Sequence, residues 1–166
     1  KVKKINDKMV KAFLTAPTDR KFVINVTGSG DPFASRIYRD MLYNLDGSKF
    51  PNLSVDLQTN GTLFTEKMWH KLNKIHDNLG HCQVSFDAGT KETYEKVRVG
   101  GDWDLLLKNC DFLDQMSEQY KKFDISYHYV VQTANYKEMS TFVDLILNRY
   151  KNYSYVHFVI VNDWGT

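Results

Sequence analysis

Three short stretches of this chain carry residue types that could do chemistry together. The first is Thr27-Gly28-Ser29-Gly30-Asp31-Pro32. Two glycines let backbone approach a ligand closely, and free N–H groups in such a turn can bind a carboxylate. Asp31 can accept hydrogen bonds from a cationic amine. The same residues also suit a tight turn that ends a strand, and no Gly-Lys-Ser/Thr follows, so this is not a phosphate-binding P-loop. The second stretch is Thr59-Asn60-Gly61, a common turn sequence. The third runs from Ser85 and Asp87 to Arg98. A guanidinium folded back from Arg98 could clamp a carboxylate at two points, or simply join a surface ion pair.

These stretches need elements to position them. Apolar-rich strand segments are expected at Phe22–Thr27, Leu53–Thr59, Gln83–Asp87, Ile125–Gln132 and Val156–Val161. Between them the apolar residues repeat at helical spacing, over Arg36–Leu45, Thr65–Leu79, Trp103–Lys121 and Lys137–Tyr150. Thr65 and Asp102 are placed to cap two of these helices. Strand–helix alternation predicts an α/β fold of parallel strands joined by right-handed crossovers. The active sites of such folds lie at the carboxyl ends of strands, where the three stretches fall.

The strands carry a second signal. Apolar Phe22, Ile24 and Val26, then Val55 and Leu57, then Cys82, Val84 and Phe86 alternate with more polar neighbours, among them Asp56 and Gln58. His128 and Gln132 share one phase of a later strand, and His157 and Val159 share one phase of the last. A sheet covered on both faces reads instead as continuous Val, Ile and Leu. One apolar face and one polar, cavity-lining face therefore predict part of a barrel rather than a flat doubly wound sheet. An amphipathic helix over Lys3–Leu14 has no strand before it, so the chain is expected to start within a βα unit.

Composition narrows the function classes. The 166 residues suit a single domain, and a net charge of +2 with scattered lysines does not call for nucleic acid. Ten Tyr and ten Phe suit either a β-rich core or a pocket wall. Cys82 and Cys110 are far apart and form neither a disulfide framework nor a metal site; buried thiols are expected. No leader or apolar run long enough for a bilayer is visible, which predicts a cytoplasmic protein without a membrane partner. An aldolase would need an inward lysine on a strand, and none is present. A metal-dependent hydrolase would need more than His128 and His157.

Taken in order, the loops resemble those of the radical S-adenosylmethionine superfamily, especially the branch with a SPASM or twitch extension. Residues 27–32 look like its Gly-Gly-Glu-Pro-type loop, with Asp31 one methylene shorter than the usual Glu. Thr59-Asn60-Gly61 looks like its Thr-Asn-Gly turn. Val84-Ser85-Phe86-Asp87, with Tyr94, Arg98 and Gly100-Gly101, looks like its fourth-strand pattern. The resemblance implies a partial (β/α)6 TIM barrel over residues 1–166, with its first strand absent together with the Cys-x-x-x-Cys-x-x-Cys segment. It implies S-adenosylmethionine as cofactor, with its amine at Gly30 and Asp31, its carboxylate and ribose at Ser85 and Arg98, and its adenine near Val159 and Ile160. Thr59 and Asn60 would shape the floor. Asp56, Gln58, His128, Gln132 and His157 would face a small-molecule or peptide substrate. The full enzyme would carry a [4Fe–4S] cluster reduced by a flavodoxin or ferredoxin, and cleave its cofactor to a 5′-deoxyadenosyl radical that abstracts hydrogen. A cluster-less, non-catalytic binding module of the same fold is the alternative.

Overall fold

The computed structural model describes residues 2–15, 19–26 and 30–160. Helices alternate with strands, with two helices between β3 and β4: α1 (Val2–Thr15), β1 (Phe22–Val26), α2 (Arg36–Asn44), β2 (Leu53–Thr59), α3 (Glu66–Lys71), β3 (Leu79–Ser85), α4 (Lys91–Val97), α5 (Trp103–Gln119), β4 (Asp124–Val131), α6 (Met139–Arg149) and β5 (Tyr155–Ile160). The five strands form one sheet in the order β1-β2-β3-β4-β5, and every pairing is parallel. Sequential parallel order with right-handed crossovers puts all the connecting helices on one side of the sheet. The architecture is therefore α/β, as the alternation predicts. No described helix is long and apolar enough to cross a membrane.

Burial follows from that one-sidedness. Along β2 buried and half-buried residues alternate without a break, with Leu53, Val55, Leu57 and Thr59 turned inward. On β4, Ile125, Tyr127 and Tyr129 are buried under the helices. The helix-covered core is rich in rings: Trp69 packs against Phe64, Phe123 and His76, with centroids 5.9, 5.0 and 4.6 Å away. Cys82 and Cys110 are both completely buried in this layer. Burial pushes both thiols well up, which keeps them protonated and unreactive.

Several element boundaries differ from those read off the periodicity, most of all in α3, β3 and α6. The helix expected over Thr65–Leu79 ends at Lys71. Beyond it Leu72, Ile75 and Asn78 each donate their N–H to the carbonyl three residues back. Successive three-residue turns keep 72, 75 and 78 on one side, so the spacing imitates an α-helix without one. Consequently β3 starts at Leu79 rather than Gln83, and it ends at Ser85. A bulge near Gly80 and His81 returns Leu79 and Cys82 to the core side. A Cβ at Gly80 would lie 2.1 Å from Ser54 Oγ and 2.6 Å from Asp56 Oδ1, so those side chains would have to shift. The α6 helix begins at Met139, after a 3-10 turn over Tyr136–Glu138.

Both anticipated caps form. Thr65 accepts a hydrogen bond from the Met68 N–H and Asp102 from the Leu105 N–H. Trp69 holds the densest part of the ring cluster and is 1 % exposed. Trp69→Ala is expected to lower unfolding free energy by about 3–5 kcal/mol through lost burial and a residual cavity. Urea denaturation checks this, and a loss under about 1 kcal/mol would contradict the assigned core.

Candidate functional site

At the carboxyl edge of the sheet a cavity of about 300 Å³ is lined by Gly30, Asp31, Gln58, Thr59, Asn60, Ser85 and Arg98. All three chemistry-bearing stretches thus supply residues to one hollow. Thr27, Gly28 and Ser29 lie outside the described residues. Another hollow, of about 450 Å³, lies between α1 and α2 and takes no residue from a strand end.

The positions arise from a few directed hydrogen bonds. Asp31 Oδ2 accepts from the Thr59 hydroxyl at 2.6 Å and from the Asn60 N–H at 2.9 Å. Its Oδ1 accepts from the Phe33 N–H at 2.9 Å. The carboxylate therefore ties the loop after β1 to the turn after β2, where the sequence alone offers it to a ligand amine. Gly30, beside it, has φ +126°, and none of the described residues lies within 4 Å of where a Cβ would stand. Backbone is thus open to close approach at this point.

The turn after β2 is fixed from behind. Gly61 has φ +78°, and a Cβ there would meet Leu106 Cδ1 at 2.5 Å. The buried Asn109 amide donates to the Gly61 and Thr62 carbonyls. Asn60 Oδ1 accepts from the N–H and hydroxyl of Thr62, so the Asn60 side chain shapes its own turn.

Asp87 organises the next rim. It is buried at φ +61°, a region that Asp tolerates better than most residues. Its Oδ1 accepts from the Val130 N–H at 2.7 Å, and its carbonyl accepts from the Asn135 amide. Its Oδ2 pairs with an Arg98 Nη. Arg98 caps the C-terminal end of α4 and is brought back over the strand ends. It is both paired and cavity-lining, and its Nε is buried without a hydrogen-bond partner.

Other expected residues separate from this cavity. Val159 and Ile160 do not line it; neighbours on a strand point to opposite faces, so they cannot share an adenine slot. Ile160 is 74 % exposed. Gln132 is not on the sheet face, because β4 ends at Val131 and the Gln132 N–H joins a turn closed by Asn135. Asp56 lies further back, accepting from Ser54 Oγ and the His81 N–H at the bulge. His128 and His157 are register partners whose rings stack at 5.0 Å. Gln83 Nε2 donates to His128 Nδ1 at 2.8 Å, which leaves the His128 proton on Nε2. That Nε2 is buried without a partner.

Two networks have no signal in the sequence. Glu138 binds the Gly89 N–H and the hydroxyls of Thr90 and Thr93, pinning the Asp87–Thr93 loop to the start of α6. Toward the amino end of the sheet, Asp124 contacts His81 Nδ1 and Ser126 Oγ contacts His81 Nε2, both at 2.8 Å. That atom order resembles an acyl-transfer triad, but Ser126 is completely buried, so its hydroxyl is out of a substrate's reach. The line serves to join β3 to β4. Its residues are far apart in sequence and meet only through strand register.

No protein-family model matches this chain, and a search of the curated proteins returns no match.

Two measurements test the site. Asp31→Ala strands the Thr59 hydroxyl and two N–H groups, and is expected to cost about 1–3 kcal/mol in urea denaturation. No loss would dissociate Asp31 from the turn. Burial first, then the neighbouring His157, lowers the His128 pKa below its usual value. The unfolded chain therefore takes up this proton first as pH falls. His128's contribution is present above pH about 6.5 and is lost as pH falls through the lowered value. His128→Asn should lose less stability than the native chain between pH 7 and pH 5. Equal losses would remove His128 from the pH dependence.

Proposed function

We propose that this chain forms the cofactor-binding portion of a radical S-adenosylmethionine enzyme, built as a segment of a (β/α)6 barrel. The observation that carries the reading is the convergence of the 30–31, 59–60 and 85–98 stretches on one hollow. Its volume stands at the lower end of the range for small-ligand sites. The charges suit a cationic ligand: Asp31 stands at the rim, while the Arg98 charge is already offset by Asp87.

The hydrogen bonds already made at the rim modify how each residue would act. With the Asp31 carboxylate bound to Thr59 and Asn60, it attracts an amine by charge and by its remaining lone pairs while holding the rim rigid. Gly30 lets the ligand approach the backbone. Arg98, oriented by Asp87, has N–H groups left for a carboxylate or ribose oxygen, and Ser85 adds a hydroxyl beside it. Preorganised donors of this kind cost no rearrangement when the ligand arrives.

S-adenosylmethionine, on reduction by an iron–sulfur cluster, supplies a carbon radical able to take hydrogen from a substrate. The described residues do not fit such a cluster. Among them no group of three or more His, Cys, Asp or Glu could hold a metal, and both thiols face the helix-covered core. The chain's own residues would bind and orient the cofactor, and would position a small-molecule or peptide substrate along the polar sheet face. Any cluster, and a flavodoxin or ferredoxin to reduce it, would enter from outside them.

Isothermal titration with S-adenosylmethionine and S-adenosylhomocysteine tests the reading. Binding at micromolar to millimolar Kd is expected, and Ser85→Ala should weaken it by about 3–10-fold, the value of one hydrogen bond. Arg98→Ala should weaken it by at least about 10-fold. Because that change also leaves a buried carboxylate unpaired, Arg98→Lys is the control; it keeps the charge and should fold normally. No binding up to millimolar ligand would defeat the proposal. Anaerobic reconstitution separates the two forms of it: stoichiometric iron would make this chain itself a cluster carrier, and none is expected.

A further inference from the structure

The sheet face opposite the helices is mostly polar, with Val23, Val130, Tyr155 and Val159 as its apolar or aromatic members. Its polar members include Asn25, Gln58, Gln83, Ser85, His128 and His157; Gln58 is in register with Gln83, Ser85 with His128, and His128 with His157. Asn25 and His157 are exposed, and the others are half-buried. Gln58 and Ser85 also line the cavity, so hollow and face are continuous.

Every one of these side chains is neutral or, for the histidines, can be neutral, and amide and imidazole groups both donate and accept hydrogen bonds. The only full charges that the strands place on this face among the described residues are the carboxylates of Asp56 and Asp124. No Lys or Arg occurs within the five strands. The one guanidinium at its rim, Arg98, is paired with Asp87. The electrostatics of the face therefore repel phosphates and carboxylates. Its groups match hydroxyls, which likewise donate and accept. The stacked His128–His157 pair adds flat ring surface, with the His157 ring exposed.

We infer that this face is the seat of a second ligand, an uncharged polyhydroxylated molecule of saccharide type, bound beside the cavity. The inference deepens the proposed function by naming a substrate class, and it rests on that reading only for the adenosyl ligand next to it. A phosphorylated or carboxylated compound is disfavoured on the face itself, where no strand supplies a Lys or Arg. A peptide is disfavoured because the face offers side-chain groups, whereas extended peptides pair with backbone at a sheet edge.

The test is an NMR titration of the ¹⁵N-labelled full chain with three separate probes: methyl α-D-glucopyranoside, glucose 6-phosphate and adenosine. The neutral glycoside should shift the amides of Gln83, His128 and His157, and bind at least about 10-fold more tightly than the phosphate. His128→Ala and, as a variant at an exposed position, His157→Ala should each raise the glycoside Kd by about 5-fold or more and leave adenosine binding unchanged. The inference is overturned if the phosphate binds as well as the glycoside, or if the glycoside shifts nothing on β3, β4 and β5. Adenosine reports separately: its failure to shift the 30–31, 59–60 and 85–98 amides, with the glycoside result intact, would sink the adenosyl reading alone.

Discussion

Asp87 is the residue on which the rim of this molecule depends. A buried carboxylate is costly unless hydrogen-bonded and paired, and this one has both kinds of partner: the Val130 N–H on one oxygen and Arg98 on the other. Those two contacts reach different regions of the chain. One joins the end of β3 to β4, and the other draws the end of α4 back over the strand edge. The left-handed backbone at Asp87 makes both possible, since it turns the chain out of the strand while the side chain stays beneath it. Asn135 completes the closure by donating to the Asp87 and Val130 carbonyls.

Asp31 has the same role at the ends of β1 and β2. Its carboxylate is short and is held against the Thr59–Asn60 turn at the edge of the cavity it lines. The two aspartates are thus fasteners first. Rim rigidity comes from groups that are already satisfied, while the groups left over, Gly30 backbone, Ser85 hydroxyl and the remaining Arg98 N–H donors, face the hollow. A site built this way is preorganised, because its donors are aimed before any ligand binds.

The sheet sets the other boundary. Strands in sequential parallel order collect their helices on one side, so apolar residues accumulate there and the second face keeps polar side chains. Hydrogen bonds such as Gln83–His128 and His81–Asp124 run between neighbouring strands on that face. They are tolerated in a half-solvated place and would be a liability under a helix layer. Gln58 and Ser85 belong both to this face and to the cavity lining, and no strand places a Lys or Arg on the face.

The sequence by itself determined the α/β class, the parallel alternation, the one-sided burial and the convergence of three stretches on one edge. Each of these follows from patterns of period two or near 3.6, or from strand–helix order, which local sequence records directly. It misjudged the segment after Trp69, because residues 72, 75 and 78 are spaced alike in consecutive tight turns and in a helix. Only the tertiary structure decided whom Asp31 and Asp87 face, and that Glu138 and His81 are hubs. Most of those outcomes depend on partners distant in sequence, for example Thr59, 28 residues from Asp31, and Gly89, 49 residues from Glu138. A side chain's type shows what it can bond, but strand register and chain reversal choose the partner.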